Sequence, residues 1–98
     1  MEVIMKWLEV IHLRASGNIR EVLTPDIAEL LNQIGGSAGF PEVKIFFHVS
    51  VTNDLAVHLF WDTETMDPRG SLIGHQLIQI LKSFGLTNYN LWKEEERK

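Results

Sequence analysis

The run VKIFFHVSVTNDLAVHLFWD, residues 43–62, decides the fold. It holds two strand-like segments, Val43 to Thr52 and Leu55 to Asp62, rich in Val, Ile, Phe and Trp. Between them stand Asn53 and Asp54, two residues that tolerate positive φ, so the spacing predicts a two-residue hairpin turn. That turn pairs Thr52 with Leu55, Ser50 with Val57, His48 with Leu59 and Phe46 with Trp61 on one face. The other face then pairs Val49 with His58, Phe47 with Phe60 and Ile45 with Asp62. A slip of one residue would exchange the faces.

Downstream, Thr63 to Gly70 reads as a polar connection containing Asp67-Pro68. From Ser71 a helical period follows, with Leu72, Ile73, Leu77, Ile80, Leu81 and Phe84 on one side and Gly85 as the expected C′ residue. Leu86 to Lys93 is a fourth strand, and residues 93–98 form a charged tail. Upstream, Val3 to Ala15 is a first strand, mostly apolar on both faces with Lys6 and Glu9 as interruptions, and ends at the turn signal Ser16-Gly17-Asn18. Ile19, Val22, Leu23, Ile27, Leu30, Leu31 and Ile34 recur at helical spacing. Thr24-Pro25 is an N-cap followed by a first-turn proline, so a short segment precedes a helix from Pro25 to Ile34, which Gly35-Gly36 ends.

The order is β-α-β-β-α-β over one domain, residues 1–98. This is the α+β, ferredoxin-like split-βαβ arrangement, with two helices on one face of a four-stranded antiparallel sheet. Two helices cover one face only, yet neither side of the hairpin reads as water-facing. Such an apolar face marks an interface, so a homodimer joined through the open sheet face is expected.

Composition narrows the function classes. With 98 residues, 45% hydrophobic and 22% charged, the chain is an ordinary globular domain. It has no cysteine, which excludes disulfides, thiolate nucleophiles and Cys-ligated metal. The net charge of −4 disfavours phosphate-backbone binding. The third strand also lacks the Lys/Arg-Gly start of an RNA-binding sheet, so no nucleic-acid partner is expected. Neither a spanning run nor a signal-peptide pattern is visible, so no membrane partner and a cytoplasmic location are expected.

The four histidines, His12, His48, His58 and His75, show no metal-ligand spacing, and neither a metal nor a cofactor is expected. His48 and His58 are read as strand residues, and His75 as a boundary residue of the second helix. Gly35-Gly36-Ser37-Ala38-Gly39 lacks the lysine and the strand-to-helix context of a phosphate cradle. Asp62, Glu64 and Asp67 read as a solvated acidic loop. Arg14, Arg20 and Arg69 are the cations near loops that could meet an anion.

The element order, the two-sided sheet, Trp61 in His58-Leu59-Phe60-Trp61-Asp62 and the ending Phe84-Gly85-Leu86-Thr87-Asn88-Tyr89-Asn90-Leu91-Trp92 resemble the dimeric α/β-barrel superfamily. The likeness is to its antibiotic-biosynthesis-monooxygenase-like (ABM-like) group and covers Val3 to Lys93. The resemblance implies a small homodimer that binds an apolar or aromatic molecule between sheet and helices. It also implies two alternatives, a cofactor-independent monooxygenase acting on an aromatic phenol or quinol, and a haem-binding or haem-degrading relative. Haem-degrading relatives use an Asn on the first strand, a Trp on the third and a His on the second helix. Trp61 and His75 match the last two and are the implied catalytic residues. The first strand has no Asn, and Glu9 and His12 are its polar residues at that depth. Trp7, Phe47, His58 and Phe60 are the implied ligand-binding residues.

Overall fold

The structure is a computed structural model and describes residues 7–18, 25–36, 41–63 and 65–95. Its elements run β1 (Trp7–Ala15), α1 (Pro25–Gly36), β2 (Glu42–Phe47), β3 (Asp54–Trp61), α2 (Leu72–Leu81) and β4 (Gly85–Lys93). The sheet order is β2-β3-β1-β4, with every pair antiparallel. This is the expected ferredoxin-like α+β fold. Thr24, Arg20, Glu64, the segment before Pro25, the start of the first strand, Ser37-Ala38-Gly39 and the end of the charged tail lie outside the described residues.

β1 lies inside the sheet because it is apolar on both sides and pairs along its length with β3 and β4. Its odd-numbered residues Glu9, Ile11, Leu13 and Ala15 are buried. They form one layer with Leu55, Val57 and Leu59 of β3, and Ile27 and Leu31 of α1 and Leu77 and Leu81 of α2 close over it. The alternation along β1 follows from the strand's period of two.

The hairpin departs from the sequence expectation. β2 ends at Phe47, and residues 48–53 form a connection before β3. The register pairs Phe47 with Leu55, Phe46 with Ala56, Ile45 with Val57, Lys44 with His58 and Val43 with Leu59. Relative to the predicted two-residue turn, β2 has slipped by five residues. An odd slip exchanges its faces. Val43 and Ile45 therefore join the core, while Phe46 moves to the opposite side with Ala56, His58 and Phe60.

Asn53 and His48 supply the reason. Asn53 is held by β1, with Ala15 N–H donating to its carbonyl at 2.8 Å and its Nδ2 donating to Ala15 O at 2.9 Å. The His48 ring turns inward on its own loop, where Nδ1 accepts from Ser50 N at 3.0 Å and Val51 N at 2.9 Å. Side-chain capping replaces the positive-φ turn, and no non-glycine residue among those described has positive φ. His48 is thus a loop residue, not a strand residue.

The second helix also differs at its ends. Leu72 and Ile80, assigned to its apolar side, are exposed, and the buried residues are Gly74, Leu77 and Leu81. Gly85 does not end α2, whose C-cap is Lys82. A 3-10 turn, Lys82–Phe84, follows α2, and Gly85 opens β4 in extended geometry opposite Ala15. A side chain there would meet the Arg14 and Ala15 backbone, so close strand approach selects the glycine.

Candidate functional site

Both helices pack on the odd-numbered face of β1, so the even-numbered face has no helical cover among the described residues. Leu8 and Val10 of β1, Phe46 of β2, Phe60 of β3 and Leu86 and Trp92 of β4 stand there. Phe46, Leu86 and Trp92 are exposed, Trp92 by 59%. Cross-strand neighbours on this face include Leu8 opposite both Phe60 and Trp92. His58 lies between two aromatic rings, with centroids 4.5 Å from Phe46 and 5.9 Å from Phe60. Partial burial pushes its imidazole below the ordinary value, because desolvation disfavours the cation. Lys44 holds its ammonium 5.6 Å from the Phe60 ring centre.

One end of this face carries a polar chain. His12 and Arg14, two apart on β1, both face Asp54 at the start of β3, because β1 pairs Arg14 with Asp54 and His12 with Ala56. Arg14 binds Asp54 with both arms, Nε to Oδ1 at 2.8 Å and an Nη to Oδ2 at 3.0 Å. His12 Nε2 lies 3.0 Å from Asp54 Oδ2. Asp54 is 4% exposed. The Arg14 hydrogen bonds outweigh the desolvation cost and hold its carboxyl well down, at about 2. Asp54 is therefore an acceptor-only carboxylate at neutral pH.

Asp54 is also a wall of a mostly apolar cleft of about 310 Å³, whose other lining residues are His12, Phe46, Phe47, His48, Val49, Leu55 and Ala56. Small-molecule sites begin at about 300 Å³, so the space suits a molecule of one or two rings. Ala56 opposite His12 is the small residue that leaves the imidazole uncovered. The slipped hairpin is what creates this cleft, since it brings Phe46 to the open face and turns His48 and Val49 into its rim.

A second polar constellation lies on the helix side. Glu9 is fully buried. Its Oε1 accepts from Trp61 Nε1 at 2.6 Å and from Ser71 Oγ at 2.5 Å. Its Oε2 accepts from Ser71 N at 2.9 Å and Tyr89 OH at 2.5 Å. Ser71 Oγ in turn accepts from Gly74 N at 2.9 Å and so caps α2. A carboxylate offers about four lone-pair sites, and four donors fill them. Burial and the Glu9 carboxylate push the Tyr89 phenol far above its usual range. The helix is locked against the sheet through a charge set at its N-terminus, which the helix dipole favours. Gly74 and Gly70 fit this packing, since a Cβ at Gly74 would meet Glu9 Oε2 and one at Gly70 would meet Tyr89 OH. Gly70 also has φ of 98°, a left-handed turn conformation that glycine adopts freely.

The sequence-predicted residues therefore divide. Trp61 and His75 come near one another through this cluster, with the His75 ring stacked on Tyr89 at 5.5 Å and its Nε2 against Arg69 O at 2.5 Å. The Trp61 indole N–H is engaged by Glu9, and Trp7 Nε1 donates to Thr63 O at 3.0 Å. Trp7, Trp61 and Phe47 belong to the helix-facing register, whereas His58 and Phe60 lie on the open face, so they line no common space. Arg69 forms an exposed pair with Asp67. Asp54 was missed because it was read as a turn residue. The available signal was His12-x-Arg14, two basic groups on one strand face that call for a carboxylate on the adjoining strand. Among the described residues no three His, Asp or Glu side chains converge as a metal set. No helix of the described residues is long and apolar enough to cross a membrane.

No family model, curated protein or solved structure matches this chain.

Proposed function

We propose that the chain is a self-associating binding module of the dimeric α/β-barrel kind, ABM-like in type, in which two copies join through their open sheet faces and hold a small apolar or aromatic molecule. The apolar row on that face carries the reading, with Phe46 and Trp92 exposed and Leu8, Val10 and Phe60 half-buried on a sheet already covered on its other side. Leaving such side chains wet costs about 25 cal/mol per Å² of apolar area relative to covering them. A two-fold pairing of identical faces is the commonest way to cover them. Glu42 and Lys44 on the edge strand β2 and Asn88 and Asn90 on the edge strand β4 border the row, which suits the polar rim of an interface. The ligand belongs at the cleft beside His12 rather than between sheet and helices, where Glu9, Trp61, Ser71 and Tyr89 use one another's hydrogen-bonding groups.

Sedimentation equilibrium tests the association. The expected mass is that of two chains, and Leu8→Lys weakens the pair at least about tenfold by burying an ammonium between Phe60 and Trp92, its cross-strand neighbours. A single-chain mass throughout the micromolar range overturns the reading.

A further inference from the structure

The His12–Asp54–Arg14 chain does more than tie β1 to β3, and we infer that His12 Nδ1 is the hydrogen-bond acceptor of the cleft, selecting flat apolar ligands that carry an N–H or O–H donor. The inference rests on the proposed small-molecule reading and adds the chemical class of the ligand. Asp54 can only accept, so the His12 nitrogen facing it, Nε2, carries a hydrogen. In the neutral ring the lone pair then lies on Nδ1. Arg14 grips both Asp54 oxygens, so the carboxylate cannot swing away and the ring keeps this tautomer. The arrangement, an orienting carboxylate behind an imidazole, fixes which nitrogen is basic and where it points.

The other walls leave His12 this role. His48 also borders the cleft, but its Nδ1 already accepts from Ser50 N and Val51 N. Asp54 also lines the cleft, but Arg14 engages both its oxygens and His12 one of them, while Phe46, Phe47, Val49, Leu55 and Ala56 supply apolar surface. Among the described residues His12 Nδ1 meets no partner, and the side chain is 39% exposed. A flat ring laid against Phe46 and over Ala56 can bring a donor to that nitrogen. A ring of the same shape without the donor would cover Nδ1 and leave it unpaired, which is the source of selectivity.

Indole and 1-methylindole make the test, since they differ by the one N–H. Titration of 15N-labelled protein is followed by amide shifts and by the two-bond 1H–15N pattern of the His12 ring. Indole is expected to shift Ala56 and Phe46, to perturb His12 Nδ1 but not Nε2, and to bind about tenfold more tightly than 1-methylindole. In His12→Phe the two probes should bind with equal affinity, because the nitrogen that tells them apart is gone. The wild-type comparison stands alone should that variant fail to fold. Equal affinities, shifts centred elsewhere, or no saturable binding of indole overturns the inference. Sedimentation of the same samples separates the two claims. A dimer that treats both probes alike removes only the acceptor role. A monomer that discriminates between them removes only the self-association, because the cleft is complete within one chain.

Discussion

Replacing Glu9 by Gln changes the shape of the buried side chain hardly at all and tests what the carboxylate does. Four donors converge on it, and two of them, Trp61 Nε1–H and Ser71 N–H, cannot become acceptors. The other two, Ser71 Oγ and Tyr89 OH, can. Each carboxylate oxygen faces one of each kind. The Gln amide nitrogen must replace one oxygen, so in either orientation one N–H is left facing an NH2 group without water to turn to. An unpaired buried donor costs about 1–3 kcal/mol, and losing charge assistance at the remaining bonds adds to it, so the expected loss is about 2–3 kcal/mol. A domain of this size has about 5–15 kcal/mol in total, so the effect is large. Urea unfolding followed by tryptophan fluorescence measures it, and the melting temperature should drop by about 10–20 °C. Tyr89→Phe in the same background should cost less than it does alone, because both changes break one network. A loss under about 0.5 kcal/mol for Glu9→Gln would refute the view that this carboxylate organises the junction of sheet and helix.

Gly74→Ala lies inside a helix, where alanine ordinarily stabilises by about 1 kcal/mol; here the methyl meets a carboxylate pinned by four bonds, so thermal unfolding should show a loss of about 1–3 kcal/mol instead. Asp54 should titrate with a midpoint of about 2 by carboxyl-carbon NMR, and Arg14→Leu should return it towards the ordinary value of about 4. Because the folded value lies below the unfolded one, the stabilisation that Asp54 contributes is complete above about pH 4 and disappears as the pH falls towards 2, a dependence that Asp54→Asn should flatten in acid-unfolding curves. Trp92→Ser removes an exposed ring from the open face, so it should leave unfolding free energy at high dilution within about 0.5 kcal/mol of wild type while weakening self-association measured by sedimentation.

The element order, the helix from Pro25 and the start of the second helix at Ser71 were all legible in the chain. Each follows from local causes: hydrophobic period, caps and fixed φ angles act over a few residues and need no knowledge of the rest. The expectation of an apolar open face was legible too, because two helices cannot cover two sides of a sheet. Its residues were not. Asn53-Asp54 has the local chemistry of a tight turn, but the Ala15 backbone takes the Asn53 carbonyl and side-chain amide and Arg14 takes Asp54, so long-range partners override the turn. That contest set the register of β2, sent Phe46 to the open face and made the cleft beside His12. Likewise Glu9 reads in sequence as an interruption of an apolar strand. Only the tertiary structure brings Trp61, Ser71 and Tyr89 to it from 52 to 80 residues away. Local periodicity determines which faces are apolar; which polar groups meet is decided by strand pairing, and pairing depends on contacts that no short window of sequence contains.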